Sequence, residues 1–526
     1  MRRPLGILIL LLAAACDCGG DSSKRDDPKV GDACTRQSDC GALLCFEGAC
    51  AEALAASPTC ATPGAPPALL AGAPVEADDP GAGVCTFEVR EHALPGGDAR
   101  GQVQDLGEHT VGETVAFTVP AGTWSVTIYQ QELDGSAPDT VTFQGFQVVN
   151  SAVPDDVRMP DGRLLFDDTP TSIPSDPDGY DDYTSFLSVH FGAGTPGTGT
   201  ATFPNTSRGL ELARVAGELP AGAWSLLVND WGFECLQIGA PTCTGGSGAS
   251  RYRVYVLTKG PLTSTGALAL DVYLASADGG GNPRLTAAQA AGNASLARTF
   301  TGVSSLLGQA GVCLDTVTFH DLPDWARLRY ESTEVDDESA CDELAQLFRL
   351  SRTTGSGVHV FLVDELLSVQ PGTPGTQLLG VDGSIPGPSG LPGSPSSGAV
   401  AMLGDLASCT GPFSVQNCEA DLLAYVAAHE VGHWLGLFHT TEATGTSFDP
   451  LSDTPKCTCD RCAPAGERAR CDDPTDPAIV FGQHCATSTC GGASNLMFWV
   501  IGTGTQGRVS REQGEVIRLN PAVRSE

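Results

Sequence analysis

His429-Glu430-Val431-Gly432-His433-Trp434-Leu435-Gly436-Leu437-Phe438-His439 is the stretch from which the rest of the chain can be read. His429 and His433 stand four apart, so on an α-helix they project from one face, a turn apart, and can grip one ion. Zinc takes imidazole nitrogens at about 2.0–2.1 Å in tetrahedral geometry. Glu430 lies beside them on the same helix, in reach of a metal-bound water without being a ligand. Gly436 permits the positive φ that ends a helix sharply, and the returning chain delivers His439 as third ligand. A fourth position stays open, as in a catalytic rather than a structural zinc site. A bare HExxH also arises as a solvated or core histidine pair. The added Gly436 and His439 favour the metal, as does the crowding of three of the nine histidines into this one stretch.

His-Glu-x-x-His-x-x-Gly-x-x-His resembles the signature of the metzincin metalloproteases. The family also carries a downstream methionine turn, which Asn495-Leu496-Met497-Phe498-Trp499 matches. Asp453-Thr454-Pro455 and the ending Gln513-Gly-Glu-Val-Ile-Arg-Leu-Asn520-Pro521 are similar to the pappalysin branch, and the likeness covers about residues 264–526. The resemblance implies a zinc endopeptidase in which His429, His433 and His439 hold Zn²⁺. Glu430 would act as general base and then proton donor, and Met497 would form an apolar floor under the metal. It also implies a protein or peptide substrate lying extended along an edge strand near Ala399–Leu403. One position departs from the pattern: Trp499 stands where related enzymes have a tyrosine. Either its indole N–H substitutes as an oxyanion donor or the zinc alone polarises the oxyanion.

Composition sets the compartment. Sixty-three acidic against 29 basic residues give a formal charge of -34, which repels nucleic-acid backbones and excludes nucleic acid as a first partner. Twenty cysteines point to an oxidising location. Residues 1–15 read as a lipoprotein-type signal peptide: Arg2-Arg3, an apolar run from Leu5 to Leu12, then Ala13-Ala14-Ala15 before Cys16. Lipidation of Cys16 would anchor the chain to a membrane at the bacterial cell envelope; ordinary secretory cleavage is the alternative.

The expected organisation is multi-domain. A polar tether (16–33) leads to a disulfide-rich module (34–60) and a Pro/Ala-rich linker (61–83). An all-β, jelly-roll-like sandwich (84–260) then precedes an α/β (α+β) metzincin catalytic domain (261–526). Within 84–260, Val119-Pro-Ala-Gly-Thr-Trp-Ser-Val-Thr-Ile and Leu219-Pro-Ala-Gly-Ala-Trp-Ser-Leu-Leu-Val echo each other as turn and strand. Trp124 and Trp224 read as core residues. Asp176, Asp178, Asp181 and Asp182 surround a glycine turn that could wrap Ca²⁺ or form a solvated acidic loop. Beyond Thr263, strands are expected at 268–274, 314–319, 358–363 and 399–403. Helices are expected at 287–307, 341–350 and 417–437, the last capped by Asn417. Cys409 with Cys418, Cys313 with Cys341, and Cys235 with Cys243 are plausible pairs. Cys457, Cys459, Cys462, Cys471, Cys485 and Cys490 brace the loop between the third histidine and Met497, with a second zinc site as the rival reading. His484 reads as a loop residue. A surface binding or adhesion protein with a vestigial catalytic domain is the competing function.

Overall fold

A computed structural model of the chain describes residues 66–81, 101–133, 151–166, 198–231, 251–276, 285–335, 343–352, 357–367 and 378–525. Positions 405, 408, 472, 474–475, 488 and 502–506 are excepted, and short paired strands are added at 44–46, 49–51, 140–143 and 146–149. The leader, Cys16, the tether, the Asp176/Asp178/Asp181/Asp182 loop, Cys235, Cys243 and Cys341 lie outside the described residues. Of the 34–60 module, a hairpin that sets Cys45 opposite Cys50 is described. Among the described residues no helix is long and apolar enough to cross a membrane.

One departure appears at once. Ala68–Ala71, inside the stretch expected to be linker, is a strand (β1) paired in parallel with residues 316–319 of the C-terminal unit. Leu69 supplies the reason: its side chain packs against the core of that unit, so a Pro/Ala-rich composition concealed a short edge strand.

The following unit is built from two four-stranded antiparallel sheets. Its strands are β2 (Gln102–Thr110), β3 (Thr114–Val119), β4 (Ser125–Glu132), β5 (Ser151–Arg158), β6 (Leu164–Phe166), β7 (Thr198–Phe203), β8 (Gly222–Trp231) and β9 (Arg251–Lys259). One sheet runs β6-β5-β8-β3 and the other β7-β4-β9-β2. Period-2 patterning builds both: in β3, Val115, Phe117 and Val119 are buried while the residues between them are exposed. These side chains share one core with Val126, Ile128, Phe203, Trp224, Leu226, Val254 and Val256. The echoed segments take equivalent places, β4 and β8 each lying inside its own sheet. Trp224 is fully buried between Phe117 and Phe203, and Trp124 lies half-buried between this core and the next. Helix α1 (Ser207–Ala216), capped by Thr206, leaves this unit towards the C-terminal one.

The C-terminal unit is a mixed α/β structure. Its strands are β10 (Gly266–Leu274), β11 (Val312–Asp321), β12 (Val358–Val363), β13 (Gly380–Asp382) and β14 (Ala399–Met402). The main order of the sheet is β13-β14-β12-β10-β11-β1, in which only β13 is antiparallel; off this path, Arg524–Ser525 pairs antiparallel with the start of β10. Val358, Val360 and Leu362 face a core shared with α3 (Ala294–Gly308) and α4 (Glu419–Trp434); Phe361 and Val363 face the other side. The helix expected across 287–307 is interrupted at Gly292, which ends a first helix, α2 (Ala287–Ala291); Asn293 then starts α3 by accepting from the backbone N–H groups of Ser295 and Leu296. Helix α4 begins two residues later than expected. Cys418, held to Cys409 by a disulfide, is its cap position, and Asn417 instead donates to Asp421, which also pairs with Arg298. Ala399–Met402 is not the edge strand, because β13 covers its outer side and is itself terminal. Helix α5 (Arg511–Leu519) closes the unit.

The two units share an extensive contact. The buried faces of Tyr129, Tyr255 and Leu257 pack on Leu391 in the loop between β13 and β14, and the Tyr129 hydroxyl donates to Ser389 O (3.0 Å). This explains why β4 is buried along its whole length. Trp224→Ala is expected to destabilise the protein by about 3–5 kcal/mol, the usual range for emptying a large aromatic site. Equilibrium urea unfolding of the full chain reads this directly.

Candidate metal centre

Helix α4 places His429 and His433 a turn apart on one buried face. It ends at Trp434; Gly436 follows with φ +101°, a conformation that suits glycine. The chain then reverses and brings His439 back. The backbone of Thr440 donates to Met497 O (2.9 Å) and Thr441 bridges Phe498, so the segment after His439 is stitched to the segment around Met497.

The three Nε2 atoms form a triangle with every side 3.1 Å. A tetrahedral zinc with bonds of ~2.0–2.1 Å holds its ligand atoms roughly 3.3 Å apart, so the triangle has the dimensions of one tetrahedral face. The outer nitrogens decide the protonation. His429 Nδ1 lies 2.8 Å from Leu496 O and His433 Nδ1 2.7 Å from Leu437 O. A carbonyl only accepts, so both Nδ1 atoms carry the proton and both Nε2 atoms present a lone pair. His439 Nδ1 lies 3.1 and 3.0 Å from the two oxygens of Glu442, which orient it the same way. Three lone pairs converging at 3.1 Å repel one another unless a cation lies between them. Burial pulls His429 down to about 3, with His439 as second cause, and holds His433 well below the ordinary histidine range, so both stay neutral as ligands must. His429, His433 and His439 are thus a group able to hold a metal ion.

Met497 is fully buried against helix α4. A Cβ at Gly432 would lie 2.6 Å from Met497 Sδ, so this glycine of the motif lets the methionine seat against the helix. Glu430 faces β13: a Cβ at Gly380 would lie 2.5 Å from Glu430 Oε1. Two residues along the same strand, and so on the same face, is Asp382, also buried. Among the described residues its Oδ1 has no hydrogen-bond partner. Burial pushes Glu430 up to about 8; burial, then the Glu430 charge, raises Asp382 well above the carboxylate range.

Trp499, the candidate oxyanion donor, is engaged elsewhere in this structure. Its single N–H donates to Val480 O (2.7 Å) and the ring packs near Phe481. That carbonyl belongs to a loop held by three interleaved disulfides, Cys457–Cys485, Cys459–Cys471 and Cys462–Cys490. These six cysteines brace the loop, so they form no second zinc site and Cys459 does not pair with Cys462. Cys313 is disulfide-bonded. His484 is a loop residue whose Nδ1 accepts from Phe481 N–H (3.1 Å).

Sequence reasoning missed Glu442, Gly380, Asp382 and the two carbonyls that orient the ring nitrogens. Only Glu442, three residues past His439, carried a local signal. No protein-family model matches the chain, and no curated protein does.

Two outcomes follow from this geometry. Glu442→Ala frees the His439 ring, and divalent-metal binding by the three histidines, probed with zinc in a chelator-competition titration, should weaken by about 10–100-fold. In metal-free protein, Glu430 keeps its proton between its ordinary value of 4.5 and about 8, where the unfolded chain has released it. Its contribution to stability therefore falls as pH rises through that window. Glu430→Gln should stabilise the metal-free protein at about pH 9 and leave it unchanged at about pH 4, as read by urea unfolding.

Proposed function

We propose that the chain is an exported zinc-dependent endopeptidase of the metzincin type, most similar to pappalysins. Its two-sheet unit is a sandwich that precedes the catalytic domain. The observation that carries this reading is the triangle of Nε2 lone pairs with a buried carboxylate, Glu430, one residue along the helix from His429. Zinc held by His429, His433 and His439 would acidify a water and polarise the scissile carbonyl.

The chain's own groups supply the rest. Glu430 is the base that takes a proton from the attacking water and returns it to the leaving amine. Its burial favours the protonated form, which suits a carboxyl that must carry a proton between two partners. Strand β13 pairs only with β14 among the described residues, so its outer backbone edge can take an extended peptide by strand addition. The resemblance pointed to Ala399–Leu403 for this role; the free edge is Gly380–Asp382. Met497 excludes water from the inner side of the ligands. Lipid on Cys16 would hold the enzyme at the cell envelope with its substrate-binding edge outside.

In the full chain, Glu430→Ala should abolish chelator-sensitive cleavage of an unfolded protein substrate while zinc content stays at wild-type level. Cleavage by Glu430→Ala at the wild-type rate would remove the assignment.

A further inference from the structure

Helix α5 touches no ligand, yet it is bonded to the metal centre at one end and to the two-sheet unit at both. At its start, Ser510 and Gln513 form a capping box, with Ser510 N–H donating to Gln513 Oε1 (2.9 Å). The same Gln513 side chain makes a reciprocal pair with Asn495: Asn495 Nδ2 donates to Gln513 Oε1 (2.8 Å), and Gln513 Nε2 donates to Asn495 Oδ1 (3.2 Å). Asn495 Oδ1 also accepts from Met497 N–H (2.8 Å), which shapes the turn whose middle residue, Leu496, offers its carbonyl to His429 Nδ1. Both amides are buried, Gln513 at 0% and Asn495 at 5% exposure, so water does not compete for these bonds. Asp453 fixes the same helix start from the loop after His439, accepting from Ser510 Oγ (2.7 Å) and Glu512 N–H (2.8 Å).

The two-sheet unit grips α5 at both ends. Arg214 at the end of α1 donates to Glu512 Oε1 (3.1 Å) and pairs with Glu515. Lys259, the last residue of β9, is buried and donates through Nζ to the carbonyls of Arg518, Asn520 (3.0 Å) and Val523, where α5 ends. Ser125 Oγ donates to Leu519 O (2.8 Å) beside them.

We propose that α5 is a strut through which the two-sheet unit positions the metal centre, with Gln513 as the positioning residue that passes the constraint through Asn495 to the Leu496 carbonyl and His429. This rests on the metal-binding reading of the three histidines. Groups that orient a ligand at one remove typically change metal affinity by about 10–100-fold, and the strut extends that shell across the boundary between the units.

The test uses the full chain. Gln513→Glu keeps the capping acceptor for Ser510 N–H but removes the donor to Asn495 Oδ1; Lys259→Met removes the grip on the far end of α5. Both should remain folded by near-ultraviolet circular dichroism, lose about 10-fold or more in zinc affinity by chelator competition, and shift the visible spectrum of the cobalt-substituted protein. A folded variant of either kind with wild-type zinc affinity and cobalt spectrum overturns the strut. Should Gln513→Glu or Lys259→Met not fold, Asn495→Asp and Arg214→Met replace them under the same criterion. A wild-type chain that takes up no zinc overturns both readings, whereas one that holds zinc but cleaves no peptide overturns only the protease.

Discussion

The arrangement depends on where three imidazole protons are held. Leu496 O, Leu437 O and the Glu442 carboxylate each accept a hydrogen bond from an Nδ1–H, which leaves three Nε2 lone pairs facing one another at 3.1 Å. Those acceptors come from three separate places: the turn before Met497, the reversal after Gly436, and the loop beyond His439. Fixing them requires the α4 end, the methionine turn and the disulfide-bearing segment to be in place together. A lone amphipathic helix carrying HExxH satisfies none of these conditions, and this separates a metal site from a fortuitous pair of histidines.

What the sequence made legible was local. The helix with its two histidines, the glycine that ends it and the returning third histidine follow from spacing within one short segment, whereas Met497 is singled out by the family resemblance. Strands such as Val358–Val363, apolar and bounded by turns, were equally plain. What escaped was decided by tertiary pairing. Ala68–Ala71 has the composition of a linker and becomes a strand because the β11 edge and a pocket for Leu69 are waiting for it. Which of β13 and β14 is the edge depends on a three-residue antiparallel addition too short to carry periodicity. Trp499 illustrates the same limit: its residue type allowed an oxyanion donor, and only its neighbour Val480, brought close by the disulfide-held loop, commits the N–H elsewhere.

The division into units is softer than composition suggested. β4 reads as a strand of an independent all-β domain, but it is buried on both faces because one face meets its own core and the other meets the β13–β14 loop. That loop, rich in glycine, serine and proline, is almost entirely buried from 383 to 398. Such a segment has little apolar side chain with which to hold itself, so the neighbouring sheet supplies the covering surface. The loop that joins β13 to β14 is thus covered by the two-sheet unit and not by the C-terminal unit alone.

The acidic groups near the ligands bear on why the site holds together at all. Glu430 and Asp382 are both buried and face the same space between β13 and α4; burial raises the proton affinity of both, and the Glu430 charge adds to the effect on Asp382. Two carboxyls so placed lower stability whenever either ionises, and natural cores rarely keep such a pair without a compensating cation. Arg and Lys side chains supply that compensation elsewhere in this protein, as Arg298 does for Asp421 and Lys456 for Asp449. On the helix that carries Glu430, His429 and His433 are instead neutral imidazoles, whose Nε2 lone pairs themselves call for a positive centre. A divalent ion between the three Nε2 atoms would relieve both deficits together, the repulsion among lone pairs and the cost of ionising the buried acids. Metal binding by these three histidines would therefore be coupled to the stability of this region.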